Sequence, residues 1–291
     1  MTEKHIDELS GVETTGHEWD GIQELNNPMP RWWVWTFYAT IVWAIGYVIL
    51  FPAWPLVSSA TTGVLGWSSR GELAATMNQV AEGQAELVAA IAEKSLPEII
   101  ADENLYRFAR SAGDAAFKIN CVQCHGSGAQ GSPGYPNLND DDWIWGGDIE
   151  SIHHTIAHGV RFAGDEETHI SEMPPFGDIL ESQEIRQIAA YVASFTREPS
   201  NSALADAGRE LYADNCAACH AEDGTGEPLM GAPNLADAIW LYGSTEAEIA
   251  TQIRKPQHGV MPAWQARLGE VTVKQLAVYV YSLGGAELLE K

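Results

Sequence analysis

The sequence has 291 residues, and its 40 acidic residues outnumber its 16 lysines and arginines to give a formal net charge of −24. All four cysteines belong to two short motifs, so none remains for a structural disulfide. No phosphate-binding loop, nucleotide motif or nucleophile–base arrangement is recognisable, which argues against catalysis by this chain alone. Nucleic acid is not among the expected partners.

The first predicted element is a membrane anchor at residues 32–54, preceded by a segment at 1–31. From Trp32 to Phe51 run 20 residues without a charge. A helix of this length spans roughly 30 Å, the thickness of the hydrocarbon core of a bilayer. Trp32 and Trp54 lie where interfacial aromatic residues are typical, and Pro52 is expected to end the helix. A cleaved signal peptide is the alternative, but the preceding segment is acidic and too long for one.

The second predicted element is a linker at residues 55–104 that contains an amphipathic helix. Its apolar residues recur at helical spacing between Gly71 and Pro97. We expect this stripe to pack on the following domain or on another subunit, with Met77 as a core residue and not a metal ligand. The residues of the stripe are Leu73, Met77, Val80, Leu87, Val88 and Ile91.

Two Cys-x-x-Cys-His motifs follow, at 121–125 and 216–220. This is the attachment signature of c-type haem, in which both thiols bind the porphyrin covalently and the adjacent histidine binds the iron. The alternatives are two redox Cys-x-x-Cys pairs or a four-cysteine zinc site, but neither needs a histidine after each pair. We therefore predict two covalent haem c groups, on Cys121 and Cys124 and on Cys216 and Cys219, with His125 and His220 as axial ligands. Bacterial haem c is attached outside the cytoplasmic membrane, so everything after the anchor is expected in the periplasm and the N-terminus in the cytoplasm.

The remainder of the chain is an internal repeat. His125 and His220 differ by 95 positions, the two His-Gly-Val strings at 158–160 and 258–260 by 100, and the closing helices by 88. These three offsets are consistent with one repeat unit if each repeat carries one insertion. The second repeat has five additional residues before its His-Gly-Val string, and the first repeat has twelve additional residues, 161–172, after its own string. We therefore predict domains at 105–198 and 199–291, joined at a polar hinge around Pro199.

Methionine is the sixth ligand typical of electron carriers, because its thioether favours Fe(II) and raises the reduction potential. Met173 and Met261 each precede a proline and share the offset of 88 residues. They lie 48 and 41 residues after His125 and His220, so the order of the sequence pairs Met173 with the first haem and Met261 with the second. Met230 has no counterpart and is expected to be a packing residue.

Several histidines compete for these positions. His158 and His258 match in the repeat, and a hydrogen bond or a contact with a haem propionate is their more ordinary role. His169, in the insertion of the first repeat, is an alternative ligand of the first iron. The remaining candidates are His153 and His154.

Each haem histidine is followed by a Pro-Asn-Leu string, at 136–138 and 233–235. This layout resembles class I cytochromes c, in which the proline offers its carbonyl to the ring N–H of the histidine. The resemblance covers roughly residues 105–286, twice over, and implies two tandem class I cytochrome c domains. Together with the predicted anchor, the expected fold is an all-α chain with one N-terminal transmembrane helix before these domains. The run Asn139–Asp142 lacks the regular ligand spacing of a calcium loop, so a solvated turn is expected there.

The segment 19–33, WDGIQELNNPMPRWW, closely resembles the entry to the anchor helix in the dihaem subunit of cbb3-type cytochrome c oxidases. The order of anchor, linker helix and two cytochrome domains is also similar, so the resemblance covers essentially the whole chain. It departs from those members that have two membrane helices, since only one is visible here.

The resemblance implies an electron-transfer subunit in the bacterial inner membrane. It would take electrons from a donor cytochrome c and pass them, through a monohaem cytochrome subunit, to the haem–copper subunit that reduces oxygen and pumps protons. The net charge suits a basic donor, although solubility explains it equally well. The alternatives are a free-standing membrane-anchored electron carrier and a haem sensor or peroxidase-like enzyme, and the last would need an iron without a methionine ligand.

Overall fold

The computed structural model describes residues 5–286 and divides into two compact units, with the boundary after residue 83. Two strands, β1 (Thr14–Trp19) and β2 (Ile22–Leu25), precede the helices. The helices of the described part are α1 (Arg31–Leu50), α2 (Ser69–Glu93), α3 (Leu96–Ala101), α4 (Glu103–Asn120), α5 (Val122–His125), α6 (Ile149–His158), α7 (Ser182–Ala193), α8 (Ser202–Asn215), α9 (Ala217–His220), α10 (Glu246–Arg254), α11 (Gln265–Leu268) and α12 (Glu270–Tyr281).

The first unit contains the expected membrane helix and one element that the sequence interpretation missed. Strands β1 and β2 form an antiparallel hairpin, with Trp19 opposite Ile22, in a chain that is otherwise helical. Helix α1 has no buried residue, which distinguishes it from the core helix of a soluble domain. It ends at Leu50, four residues before the expected bound, because Pro52 disfavours a helical conformation at Phe51.

Helix α2 confirms the predicted linker helix but not the burial of its stripe. Met77 is 63 % exposed, and Leu73 and Val80 are also exposed. The expectation that Met77 is a core residue is therefore wrong for this chain by itself. Only the last turns contribute to a core, where Ile91 is fully buried and Leu87 packs beside it.

Two hydrophobic clusters make up the core of the second unit, and each is built around one of the Cys-x-x-Cys-His motifs. The first combines the end of α2 with α3, α4, α6 and α12. The second combines α7, α8 and α10. The two clusters therefore do not follow the sequence division into 105–198 and 199–291. Helix α7 of the first repeat belongs to the second cluster, and helix α12 of the second repeat belongs to the first.

Aspartates from both repeats approach one another in the second unit. Asp142 is partly buried, and burial raises its pKa to about 6, with further contributions from the charges of Asp237, Asp140 and Asp141. The expectation of a solvated turn at 139–142 is thus wrong for Asp142. Across the described residues, no group of three or more histidine, cysteine or acidic side chains is arranged to hold a metal ion.

This raised pKa gives a pH-dependent prediction. The folded state holds the proton of Asp142 more tightly than the unfolded state, so stability is lost as pH rises from 3.8 through about 6. Asp142→Asn should therefore raise the free energy of unfolding by about 1 kcal/mol at pH 7, after discounting for partial exposure, and leave it unchanged below pH 4. Urea unfolding at both pH values measures this difference. Asp141→Asn, at an exposed neighbouring residue, is the control. An equal increase in the free energy of unfolding in both variants would contradict a destabilisation specific to Asp142.

Candidate haem-binding sites

The first motif is positioned by the end of helix α4. Cys121 ends α4 and begins the single turn α5, which closes on His125. The backbone N–H of His125 donates to the carbonyl of Cys121, at 2.9 Å, so the turn places the first thiol and the ring on one short helical segment. Gly126 then takes a positive φ of 79°, which redirects the chain at once after the histidine.

The second motif repeats this geometry. Cys216 ends α8, the turn α9 closes on His220, and the N–H of His220 donates to the carbonyl of Cys216 at 2.9 Å. His220 is buried. Tyr212, fully buried in the core, donates its hydroxyl proton to the carbonyl of Ala221 at 2.8 Å and thereby holds the end of the motif.

Both histidine rings are oriented by a proline carbonyl, as the resemblance to class I cytochromes c predicts. Nδ1 of His125 lies 3.1 Å from the carbonyl oxygen of Pro136, and Nδ1 of His220 lies 3.1 Å from that of Pro233. Because a carbonyl only accepts, Nδ1 carries the proton and Nε2 keeps its lone pair. Burial lowers the pKa of both rings, so the neutral form that binds a metal is favoured.

The first thiol of each motif does not have the character of a redox-active cysteine. Burial, followed by the charge of the second cysteine, raises the pKa of Cys121 and of Cys216 to about 11. Reactive Cys-x-x-Cys motifs depend on a lowered thiol pKa. The residues therefore fit covalent attachment of haem c, with one neutral imidazole beside each pair of cysteines, better than thiol–disulfide chemistry.

The two candidate methionines lie in different clusters. Met261 packs against the first cluster, which contains the fully buried Phe117, and the ring of Phe117 lies 6.4 Å from that of His125. Met173 packs against the second cluster, which contains Tyr212 and Cys216. The structure thus places each methionine with the motif of the other repeat, not with the motif that precedes it in its own repeat. Met230 has a side chain that is about half exposed, not a buried packing residue.

The competing histidines have other contacts. His169 stacks on Trp145, with ring centroids 4.3 Å apart, and its Nε2 lies 3.0 Å from the hydroxyl of Thr155. His158 pairs through Nδ1 with Asp165 at 3.1 Å. The hydrogen bond of His158 is of the kind expected for it from the sequence, whereas ligation of the first iron by His169 stays an alternative prediction.

His258 has the hydrogen bond that the sequence suggested for it. Its Nε2 accepts the backbone N–H of Met173, at 3.1 Å. A residue of the second repeat therefore fixes the backbone of the methionine loop of the first.

Sequence reasoning missed Arg161. Its Nε donates to the carbonyl of Gly259 at 2.7 Å, and its Nη1 donates to the carbonyl of Ser171 at 2.9 Å. These carbonyls stand two residues before Met261 and Met173. In the sequence, Arg161 is the first residue of the insertion. A positive charge at that position does not indicate which backbone carbonyls its side chain will bind.

Ala221 provides a stability prediction because it occupies a backbone region reserved for glycine. Its φ and ψ are 62° and 165°, close to the 79° and 160° of Gly126, its repeat equivalent. An alanine here is strained by ~1–3 kcal/mol. Ala221→Gly should therefore stabilise the chain by about 1 kcal/mol once the extra freedom of glycine in the unfolded state is subtracted. Chemical unfolding of the holoprotein measures this. The reverse change, Gly126→Ala, should destabilise, and a loss of stability in Ala221→Gly would refute the strain.

Together, the covalent attachment motifs and the proline-oriented histidines within helical domains define the class: a membrane-anchored c-type cytochrome. Comparison with known proteins gives the family. Residues 11–58 match the family model of the N-terminal domain of cytochrome oxidase-cbb3, FixP, and residues 109–192 and 203–280 match that of cytochrome c oxidase, cbb3-type, subunit III. The chain belongs to the family of cbb3-type cytochrome c oxidase subunit III.

Curated relatives agree over nearly their full length. The chain is 60 % identical to the cbb3-type cytochrome c oxidase subunit FixPc of Rhizobium leguminosarum bv. viciae, over 98 % of this chain and 99 % of that protein. It is 61 % identical to subunit FixP of Rhizobium meliloti (strain 1021), with 98 % of each chain covered. It is 54 % identical to subunit CcoP of Cereibacter sphaeroides, over 94 % of this chain and 95 % of that one. These matches confirm the resemblance, the two cytochrome c domains and a role in electron transfer as part of the oxidase.

Proposed function

We propose that this chain carries two haem c groups and transfers electrons from a donor cytochrome c, through a monohaem cytochrome subunit, to the haem–copper subunit of a cbb3-type oxidase. Bound haem supplies the Fe(III)/Fe(II) couple for this transfer. The observation that carries the proposal is the repeated geometry of the two motifs, each with a histidine whose Nδ1 is held 3.1 Å from a proline carbonyl. One such site would bind a haem, and two of them within one compact unit provide a route for electrons.

The same geometry supports a set of ligand residues. We assign Cys121, Cys124, Cys216 and Cys219 to covalent attachment and His125 and His220 to one axial position of each iron. Met173 and Met261 would supply the second ligand of each iron. Both are methionines packed against a cluster that contains a motif, and a His/Met pair suits a carrier of relatively high potential.

The orientation in the membrane follows from the place where haem c is attached. Residues before helix α1 lie in the cytoplasm, α1 crosses the inner membrane, and the two cytochrome domains lie in the periplasm. The absence of buried residues in α1 supports a helix surrounded by lipid or by other membrane subunits. An alkaline phosphatase fusion after residue 58 should be active, and a fusion after residue 27 inactive.

Two surface features support the proposed interactions with partner proteins. The apolar residues Leu73, Met77 and Val80 of helix α2 are exposed, which is the arrangement expected for a contact with another subunit. The net charge of −24 would attract a basic donor cytochrome and make its association sensitive to salt.

The test is purification of the tagged chain from gently solubilised membranes, followed by a haem and metal inventory. Two haem c per chain, together with haem b, copper and oxygen consumption driven by reduced cytochrome c, are expected. A variant with Cys216→Ser and Cys219→Ser is the matched comparison and should keep one haem c and lose most electron transfer. Recovery of haem c alone, in a preparation that cross-linking shows to be intact, would instead support a free-standing carrier.

A further inference from the structure

The absence of charge that marks α1 as a membrane helix continues well past the end of that helix. Residues 32–69 contain no acidic residue, lysine, arginine or histidine, and Arg70 is the first charged residue that follows. Helix α1 ends at Leu50 and already has the ~30 Å length that the hydrocarbon core of a bilayer requires. The crossing therefore does not account for residues 51–68, the return loop, which have no charge either.

The return loop folds back onto the end of α1 instead of leading away from it. The backbone N–H of Val64 donates to the carbonyl of Ile49, at 2.9 Å. The next N–H, that of Leu65, donates to the carbonyl of Leu50 at 3.1 Å. Gly63 has a φ of +68°, and a Cβ atom at this position would overlap the backbone of Leu50. These contacts satisfy carbonyls that the end of a helix leaves without a partner, and they hold this part of the loop at the depth of the last turn of α1.

The backbone of the return loop also bonds to itself. Thr61 donates its backbone N–H to the carbonyl of Trp54, at 2.9 Å. Its hydroxyl oxygen accepts the N–H groups of Ala53 and Trp54, at 3.3 and 3.1 Å. The N–H of Leu56 donates to the carbonyl of Ser59 at 2.7 Å. A backbone that pairs its polar groups internally loses little when it leaves water, which is a requirement for contact with lipid.

The apolar side chains of the return loop are exposed. Val57 is fully exposed, and the exposed fractions of Val64 and Leu65 are 76 % and 58 %. An apolar surface of this kind, continuous with a membrane helix, is removed from water in the assembled protein. The other large apolar side chains exposed in the loop are Trp54, Leu56 and Trp67.

Trp67 marks the level at which the chain returns to water. Its ring contacts that of Phe51 edge-on, with centroids 5.9 Å apart, so the two ends of the loop meet. Its Nε1 donates to the carboxylate of Glu72 at 2.7 Å. A tryptophan with its ring against apolar residues and its N–H on a charged group has the two-sided character of residues at a membrane interface.

From these observations we infer that the return loop is embedded in the membrane interface, with Val57, Val64 and Leu65 among the lipid chains of the leaflet in which α1 ends. Lipid is favoured over a neighbouring subunit because the loop is uncharged and uses its polar groups internally, and so offers little to the polar rim of a protein interface. The loop stays at the interface because irregular backbone exposed to lipid does not occur in the hydrocarbon core. This inference goes beyond the proposed electron transfer and uses from it only the membrane crossing of α1.

Thiol labelling of the full-length chain in membrane fragments that are open to solvent on both faces tests the position of the loop. Val57→Cys supplies a thiol in the loop, and Glu82→Cys supplies a reference at an exposed position of α2. A membrane-impermeant maleimide should react about tenfold more slowly at position 57 than at position 82, because the reacting thiolate is disfavoured in a low dielectric. Equal rates at the two positions would overturn the inference.

Two glycine variants in the Val57→Cys chain test the attachment of the loop to the helix. Gly63→Ala should raise the labelling rate towards that of position 82, because the added Cβ displaces the loop from the backbone of Leu50. Gly66→Ala is the matched control, since Gly66 has a similar φ of +59° but no atom within 4 Å of an added Cβ. It should leave the rate nearly unchanged. An equal rate increase in both variants, or none in Gly63→Ala, would show that contact with α1 does not hold the loop in place.

A photoreactive benzoylphenylalanine at position 57 of the intact oxidase identifies what covers the loop and needs no added thiol. Illumination in native membranes should give adducts with phospholipid, which mass spectrometry detects, and the same residue at position 82 should give none. Adducts with another polypeptide would overturn the inference in favour of a subunit contact, and absence of any adduct at position 57 would indicate a loop in water. Neither haem content nor oxygen consumption is a readout of these experiments, so either result leaves the proposed electron transfer to its own test.

Discussion

Replacing Arg161 with glutamine should weaken the methionine ligation of both haems in the same molecule. The guanidinium donates to the carbonyl two residues before Met261 and to the carbonyl two residues before Met173. Arg161 is partly buried, which lowers its own pKa, so water replaces these bonds less readily than it would at an exposed position. Loss of two charge-assisted hydrogen bonds at ~1.5–3 kcal/mol each should destabilise the folded state by about 3 kcal/mol, allowing for partial repair by glutamine.

The effect of Arg161→Gln on the two haems is the distinguishing measurement. Thermal loss of the far-red charge-transfer band should move to lower temperature for both haems, and both reduction potentials should fall because methionine raises them. Arg161→Lys should recover part of the effect, since an ammonium lacks the rigid fork of the guanidinium. Arg186→Gln, at an exposed position of α7, is the control. An Arg161→Gln variant that perturbs only one haem would contradict a shared positioning role.

Gly113→Ala and Gly208→Ala should each be strongly destabilising, although alanine favours a helix. Alanine gains ~1 kcal/mol over glycine inside a helix, but a Cβ at either position would overlap a backbone carbonyl that cannot rotate away. The facing helices must separate, and overpacking of this kind costs ~1–3 kcal/mol or more. We expect a net loss of about 2 kcal/mol in the free energy of unfolding and a lower yield of holoprotein.

Gly83→Ala is the matched control for the two glycine variants. A Cβ at Gly83 of helix α2 would meet no atom within 4 Å, so this variant should be stabilised by ~0.5–1 kcal/mol through helix propensity alone. Unfolding in urea, followed by tryptophan fluorescence and by the haem absorption, measures all three. Equal stability of Gly113→Ala and Gly83→Ala would show that α4 and α12 are not in close contact.

Sequence patterns predicted correctly the elements whose formation depends mainly on residues that are close together in the chain. The uncharged run predicts α1, and the helical spacing of apolar residues predicts α2, because length and periodicity follow from the helix itself. The proline carbonyls are reached only 11 and 13 residues after their histidines, so this contact could also be anticipated. The hairpin β1–β2 was missed because a short, largely exposed pair of strands has almost no apolar alternation to detect.

The burial of Met77 and the pKa of Asp142 depended on the parts of the structure that surround them. Met77 fits a helical stripe, yet most of this stripe is exposed among the residues that the structure describes, so spacing alone overstated its burial. Asp142 lies in a run that suggests a solvated turn. Only folding brings Asp237 of the second repeat close enough to affect its pKa.

The sequence by itself determined the chemistry of this protein: two haem attachment motifs, two methionine loops, one membrane anchor and the family to which the chain belongs. Only the tertiary structure decided which methionine packs against the cluster around which motif. The physical reason is the repeat itself, because both closing helices present equivalent tyrosines and glutamines, and both first helices present equivalent glycines and aromatic residues. The residues of a first helix therefore cannot by themselves distinguish between the two equivalent closing helices. The short connection 194–201 favours packing of α7 on the adjacent α8, and α12 then covers the remaining helix, α4.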